Sequence, residues 1–170
     1  MLGGFRYCPR CMSELRTEAG GGEPSRAVCP SCRYVHYDNP APTVQAWIED
    51  RGRLLLLRRA EAPRRGEWNV PGGFIEPLEA PEEAARRETR EETGLDIEVI
   101  DLIGAFPSHY TGERTTLDIA CLCRLSGPGE LRVSAESSAA EWFALGELPE
   151  LAFDGERAAL DRLRERLAPG

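Results

Sequence analysis

The sequence predicts an α/β or α+β sandwich preceded by a small cysteine-rich module. Three observations carry this prediction: two matched Cys-x2-Cys pairs near the start, strand-like apolar runs interspersed with helical patterns after Thr43, and an acidic helical segment closed by glycine. At 170 residues the chain has room for one ordinary domain and a small accessory one. Apolar residues at 41% place it with globular rather than disordered chains. The expected division is 1–37 for the module and 38–170 for the main domain.

The module comes first. Residues 6–36 are rich in Cys, Pro and Gly, with a glycine turn at 20–22. Cys8 and Cys11 form one pair, Cys29 and Cys32 the other, 17 residues apart. A Cys-x2-Cys turn brings two sulfurs to one ion, and Zn²⁺ favours four thiolates in a tetrahedron. Pro9 and Pro30 follow the first cysteine of each pair and suit the tight turns. So few large apolar residues could hardly fold without a metal to close them. Four protein sulfurs leave no open position, so the expected zinc is structural. His36 reads as a packing or surface residue, and Cys121 and Cys123 as buried small hydrophobes on one strand face.

Residues 37–42, with Pro40 and Pro42, read as an extended linker. Beyond it, residues 43–49 and 53–58 flank Asp50, Arg51 and Gly52 as a β-hairpin, and Leu54 to Leu57 suit a strand buried on both faces. A loop containing Pro63 and Gly66 leads to Trp68 and Pro71-Gly72-Gly73. Helix is expected over 81–93, with Pro81 and acidic residues in its first turn, Gly94 past its end and the poor cap Ala80 before it. Strands follow at 97–106, 115–125 and 140–145. A last amphipathic helix spans 156–167, with Leu160, Leu163 and Leu167 on one stripe.

The formal charge of −8 argues against nonspecific nucleic-acid binding. Residues 1–42 hold five Arg against four acidic residues (+1), and the remainder holds 16 against 25 (−9). Such a body binds phosphates poorly unless divalent cations intervene. The sequence has no Lys, so every cationic side chain is Arg. With no run near the ~18 apolar residues a membrane span needs, and no signal-like start, a soluble cytoplasmic protein is expected.

Glu88, Glu91 and Glu92 stand at i, i+3 and i+4 on the expected helix, on the side of Ala84 and Ala85. At about 100° per residue, Arg86, Arg87, Arg90 and Glu83 take the opposite side. A solvated charged face would not place carboxylates where apolar bulk belongs. Hard cations such as Mg²⁺ or Mn²⁺ would relieve the repulsion among three unneutralised carboxylates.

These residues resemble the Nudix box, G-x5-E-x7-R-E-U-x-E-E-x-G-U, where U is apolar. Gly73, Glu79, Arg87, Glu88, Glu91, Glu92, Gly94 and Leu95 fill eight of nine specified positions over 23 residues; Thr89 stands where an aliphatic residue is usual. That departure weakens packing under the helix rather than the metal chemistry. The resemblance implies a Nudix α/β/α sandwich with a mixed sheet behind a zinc ribbon, and a pyrophosphohydrolase that splits a nucleotide-linked diphosphate and releases a nucleoside monophosphate. It implies catalytic Mg²⁺ or Mn²⁺ on Glu88, Glu91 and Glu92, Arg87 orienting them, and Glu79 supporting the loop–helix geometry. A further acidic residue after the box often acts as base or ligand in this family. Glu136, in the loop 134–139, is the candidate, with Glu76 and Glu141 behind it.

A ribbon followed by the box resembles the NADH pyrophosphatases and a shorter ADP-ribose or FAD pyrophosphatase class. The NADH group carries Ser-Gln-Pro-Trp-Pro-Phe-Pro-x-Ser after its box, of which this chain keeps Phe106 and Pro107. An ADP-ribose-like substrate is therefore expected first, FAD or NADH second. Substrate contacts are expected from Arg58 and Arg64, within the Arg58-Arg59/Arg64-Arg65 loop, and from Phe106, His109 and Tyr110, an aromatic stacking on the base and an Arg meeting phosphate. A noncatalytic nucleotide-sensing regulator with a ribbon for partners is the competing class, and a homodimer enters by family analogy alone.

Overall fold

A pair of matching turns organises the start of the chain. In each, a Cys-Pro opening leads to a residue at φ 60°, Met12 or Arg33, whose amide returns to the carbonyl of Cys8 (2.9 Å) or Cys29 (3.0 Å). The computed structural model describes residues 5–18, 25–112 and 114–167, so the expected glycine turn at 20–22 lies outside the described residues. The chain divides into two compact units, Met1–Asn39 and Pro40–Gly170.

In the first unit, β1 (Arg16–Glu18), β2 (Arg26–Val28) and β3 (Val35–His36) form an antiparallel sheet in that order. Its buried apolar residues, among those described, are Cys8, Ala27, Val28 and Cys29. At roughly 1.5–3 kcal/mol for a large buried side chain, such a core cannot order the unit unaided.

In the second unit, β4 (Ala41–Asp50) and β5 (Arg53–Arg59) form a hairpin through Arg51 and Gly52. Then come β6 (Trp68–Asn69), β7 (Gly72–Phe74), α1 (Pro81–Thr93), β8 (Ile97–Thr111), β9 (Arg114–Leu125), β10 (Ser137–Ala144) and α2 (Asp154–Leu167). The seven-stranded sheet runs β10-β5-β4-β9-β8, with β6 on β5 and β7 on β4. The β4–β9 pairing is parallel and the others are antiparallel, which makes the sheet mixed. β4 and β5 pair only beside their turn, through Glu49–Leu54 and Asp50–Arg53. Further along, β7 pairs with β4 and β6 with β5, and this fork sets the Val70–Gly73 segment between them.

Period-two alternation sorts the core onto two faces. Val44, Ala46, Ile48, Leu55, Cys121 and Cys123 meet Ala84 and Ala85 of α1 on one. Trp47, Leu54, Leu56 and Ala120 meet Ala159, Leu160 and Leu163 of α2 on the other. The result is the expected α/β/α sandwich, with Leu54 to Leu57 buried throughout and both cysteines of β9 in the core.

Several boundaries differ from expectation. Ala41 and Pro42 belong to β4 rather than to a linker. β8 runs on to Thr111, because an edge strand tolerates Pro107. β10 opens at Ser137, shortening the loop around Glu136, and α2 starts two residues early. Arg166 of α2 donates to Asp101 Oδ2, Leu102 O and Ile103 O, all at 3.0 Å, where β8 is bulged. No described helix is long and apolar enough to cross a membrane.

Candidate active site and metal centre

The four cysteines of the first unit converge. Cys8 and Cys32 sulfurs lie 3.6 Å apart, Cys11 and Cys29 sulfurs 3.5 Å apart, and all four lie within 4.8 Å of one another. A tetrahedral zinc with Zn–S bonds of about 2.3 Å has sulfur–sulfur edges of about 3.8 Å, so the set fits that ion. Backbone amides of Arg10 and Cys32 donate to Cys8 Sγ and Cys29 Sγ, both at 3.4 Å, and would stabilise thiolate charge. His36 stays out of this group and packs edge-on against Phe5.

In the second unit, α1 forms one wall of a cleft of about 390 Å³. Pro81 opens the helix, the Glu83 carboxylate accepts the Ala80 amide at 3.0 Å, and Gly94 closes it at φ 71°. Ala84, Ala85, Thr89 and Thr93 are buried beneath it. Glu92, 9% exposed, accepts the Gly72 amide at 2.9 Å. Burial pushes its carboxyl up to about 8, with the charges of Glu88 and Glu136 adding to the rise. Burial likewise raises Glu88. A cation held here would relieve both.

Arg87 ties the wall together. Its Nε and Nη2 donate to both oxygens of Glu79 (2.8 and 2.9 Å), Nη1 to Glu88 (2.7 Å) and, more weakly, Glu91 (3.4 Å), and Nη2 also to Phe74 O (3.1 Å). The guanidinium holds Glu79 down at about 2, and Glu79 in turn accepts the Glu76 amide at 2.9 Å, closing the loop ahead of the helix. One expectation is corrected here: Arg87 does not stay on the far side of the helix, because its long stem wraps round to the acids. The glutamates remain under-neutralised, since Glu88 and Glu91 share this one cation with Glu79 and Glu92 takes an uncharged amide. Among the described residues, the cysteines are the group of metal-ligating side chains within 4.8 Å of one another; the glutamates stand further apart. A Cβ at Gly73 would push the Glu88 carboxylate out of its place, so the glycine leaves room for that side chain.

Glu136 and Glu76 line the same cleft, and Tyr110 enters it, stacked on Phe153 at 5.7 Å and edge-on to Phe74 at 5.5 Å. Arg58, Arg64 and Phe106 do not line it. Arg58 alternates away from Arg59 along β5 and donates to Gly66 O at 2.9 Å. Arg64 faces Glu67, Phe106 packs into the α2-side core, and His109 sits beside Asp154. Glu141 lies on β10, outside the cleft.

Among the described lining residues the cation is Arg59, anchored on Pro63 O at 2.7 Å and lying over the Phe153 ring at 5.3 Å. The sequence reading missed Asn69, Asp118 and Glu156, which also line the cleft. Two carried a signal. Glu156 falls on the apolar stripe of Leu160 and Leu163, and Asp118 interrupts the inward-facing run of β9.

Comparison with known proteins agrees with this geometry. A family model described as NUDIX domain matches residues 39–163, and one described as Nudix N-terminal, a zinc-ribbon family, matches residues 6–38. An ADP-ribose pyrophosphatase of Methanocaldococcus jannaschii is 38% identical over 133 residues, 78% of this chain and 78% of that protein. A mitochondrial NAD(P)H pyrophosphatase of Mus musculus is 32% identical over 147 residues, 85% of this chain but 40% of that longer protein. The crystal structure of a NUDIX hydrolase from Nitrosomonas europaea superimposes with a TM-score of 0.79 at 28% identity, covering 96% of this chain and 92% of that one.

Proposed function

The chain belongs to the NUDIX family, and from that premise we propose that it is a Mg²⁺- or Mn²⁺-dependent pyrophosphohydrolase acting on a nucleoside diphosphate linked to another moiety, ADP-ribose-like before FAD or NADH. The observation that carries this is the α1 wall, where Arg87 gathers Glu79, Glu88 and Glu91 beside the buried Glu92. In this reading residues 1–37 are a structural zinc ribbon and residues 38–170 the hydrolase domain.

Glu88, Glu91 and Glu92 would hold the divalent ion, whose chemistry is Lewis acidity and neutralisation of the diphosphate. Arg87 and Glu79 set the direction of the carboxylates. Glu136 faces the cleft with an exposed carboxylate and would accept the proton of the attacking water. Attack at one phosphorus breaks its bond to the bridging oxygen and releases a nucleoside monophosphate. Arg59 would meet the phosphate away from the acids, and Tyr110 with Phe153 would flank the base. The relative named ADP-ribose pyrophosphatase, matched over most of both chains, supports the order of substrates.

The test is turnover of ADP-ribose, FAD, NADH and 8-oxo-dGTP with magnesium or manganese, with products identified. Hydrolysis of ADP-ribose to AMP is expected. Turnover confined to 8-oxo-dGTP would reject the substrate assignment, and a wild-type protein that splits none of them, like its Glu91→Gln variant, would favour the noncatalytic regulator. The same reading takes the cytoplasm as its compartment and a homodimer as its assembly, which light scattering would check.

A further inference from the structure

The cleft has a second polar group, set apart from the α1 acids. Asn69, Asp118 and Glu156 line it, yet are only 7%, 5% and 2% exposed. Asp118 is aimed by its neighbours: Thr43 Oγ1 donates to it at 2.6 Å and Gln45 Nε2 at 3.0 Å, while Gln45 itself is fixed by Trp47 Nε1 donating to its Oε1 at 3.2 Å. Glu156 accepts the amides of Val70 (2.9 Å) and Phe153 (3.1 Å), which pins the start of α2 to the segment beside the acids. Asn69 spends its side-chain amide on Val70 O at 2.8 Å, and its Oδ1 is buried with no partner among the described residues.

An unsatisfied buried carbonyl costs about 1–3 kcal/mol, a cost that a ligand's N–H would remove. The group is rich in acceptors, since Asn69 Oδ1 and the Asp118 carboxylate can only receive protons. A ligand with a carbonyl at that point would be repelled. One bearing an amino group would be held.

Position argues in the same direction. The Gly72 amide binds Glu92 and the Val70 amide binds Glu156. Amides two residues apart are separated by at most about 7 Å, comparable with the reach of one sugar between a base and its 5′-phosphate. The stacked rings of Tyr110 and Phe153 stand at the same cleft and supply faces for a flat heterocycle.

Resting on the reading of the cleft as a nucleotide site, we propose that Asn69 and Asp118 form a nucleobase floor that selects a 6-aminopurine by accepting hydrogen bonds from its exocyclic amino group. Glu156 complements them. Its two oxygens are taken by the amides of Val70 and Phe153, which fixes the floor beside α2. A guanine would turn its carbonyl toward Asn69 Oδ1 and Asp118 instead, placing acceptor against acceptor.

The test needs no assumption about turnover. AMP and purine riboside 5′-monophosphate, which differ only in the amino group, are titrated into the wild-type protein by calorimetry, with GMP alongside. AMP is expected to bind at least about ten-fold tighter than the other two, the discrimination typical of a site built to hydrogen-bond a group its competitor lacks. Asn69→Leu is expected to narrow the gap between AMP and the deaminated analogue. Equal affinities in the wild type, tighter GMP binding, or no measurable AMP binding overturns the proposal, and none of these outcomes depends on whether the variant folds. A protein that prefers AMP yet splits no diphosphate would leave this floor standing and remove the hydrolase assignment instead.

Discussion

At the scale of single residues, the site is an exercise in sharing. One guanidinium serves Glu79, Glu88 and Glu91, and its planar fork matches the Glu79 carboxylate at two points. Replacing Arg87 by Lys keeps the charge and loses that match, so Arg87→Lys and Arg87→Ala should both lower kcat/KM, by roughly 10–100-fold as for other residues that orient metal ligands. A Lys variant at wild-type activity would show that charge alone suffices. Glu156 makes a different prediction, about stability. Its carboxyl is raised from 4.5 to about 8, so between those values the folded chain keeps a proton that the unfolded chain releases. Stability must then fall as pH rises through that window, and below it the penalty is absent. At about 1.4 kcal/mol per unit the effect amounts to a few kcal/mol at most. The Tm of wild type should therefore decline more from pH 5 to pH 8 than that of Glu156→Gln, and parallel profiles would refute the assignment.

At the scale of elements, α1 shows what could be read in advance. Its limits, Pro81 to Thr93, are punctuated by a proline that needs no amide bond and a glycine in the left-handed region. Gly94→Ala forces a Cβ into that conformation and should cost about 1–2 kcal/mol in denaturant unfolding. Gly73→Ala tests the wall more directly. Its Cβ would displace the Glu88 carboxylate, so manganese affinity should drop while the far-UV spectrum stays unchanged. The glutamates and Arg87 were legible because one helix carries them all. The cleft floor was not, because residues 69, 118 and 156 lie on β6, β9 and α2 and meet only through the topology. β6 and β7, two and three residues long, were also hidden, since they owe their pairing to β5 and β4 rather than to any pattern of their own. β5 runs to Arg59, one residue past the expected 53–58, and its alternation decides that Arg59 rather than Arg58 faces the cleft.

At the scale of the whole molecule, the two units depend on different forces. The second has a core on both faces of a seven-stranded sheet, whereas the described residues of the first bury little beyond Cys8, Cys29 and the short β2. Structural zinc contributes roughly 10–16 kcal/mol of apparent binding energy in small modules. Stripping it with a chelator, or substituting Cys29→Ser, should therefore expose residues 1–39 to protease while residues 40–170 stay resistant, with zinc release followed by a colorimetric indicator. Equal resistance of both parts after zinc loss would contradict this. The sheet's open side has a consequence of its own. β8 is a fifteen-residue border strand with Ile100 and Leu102 exposed, the kind of rim onto which a neighbouring polypeptide could zip. Its bulges break the straight run, and Arg166 already caps the carbonyls of Leu102 and Ile103. A stacking chain would find those acceptors taken, which guards the border against fibril growth.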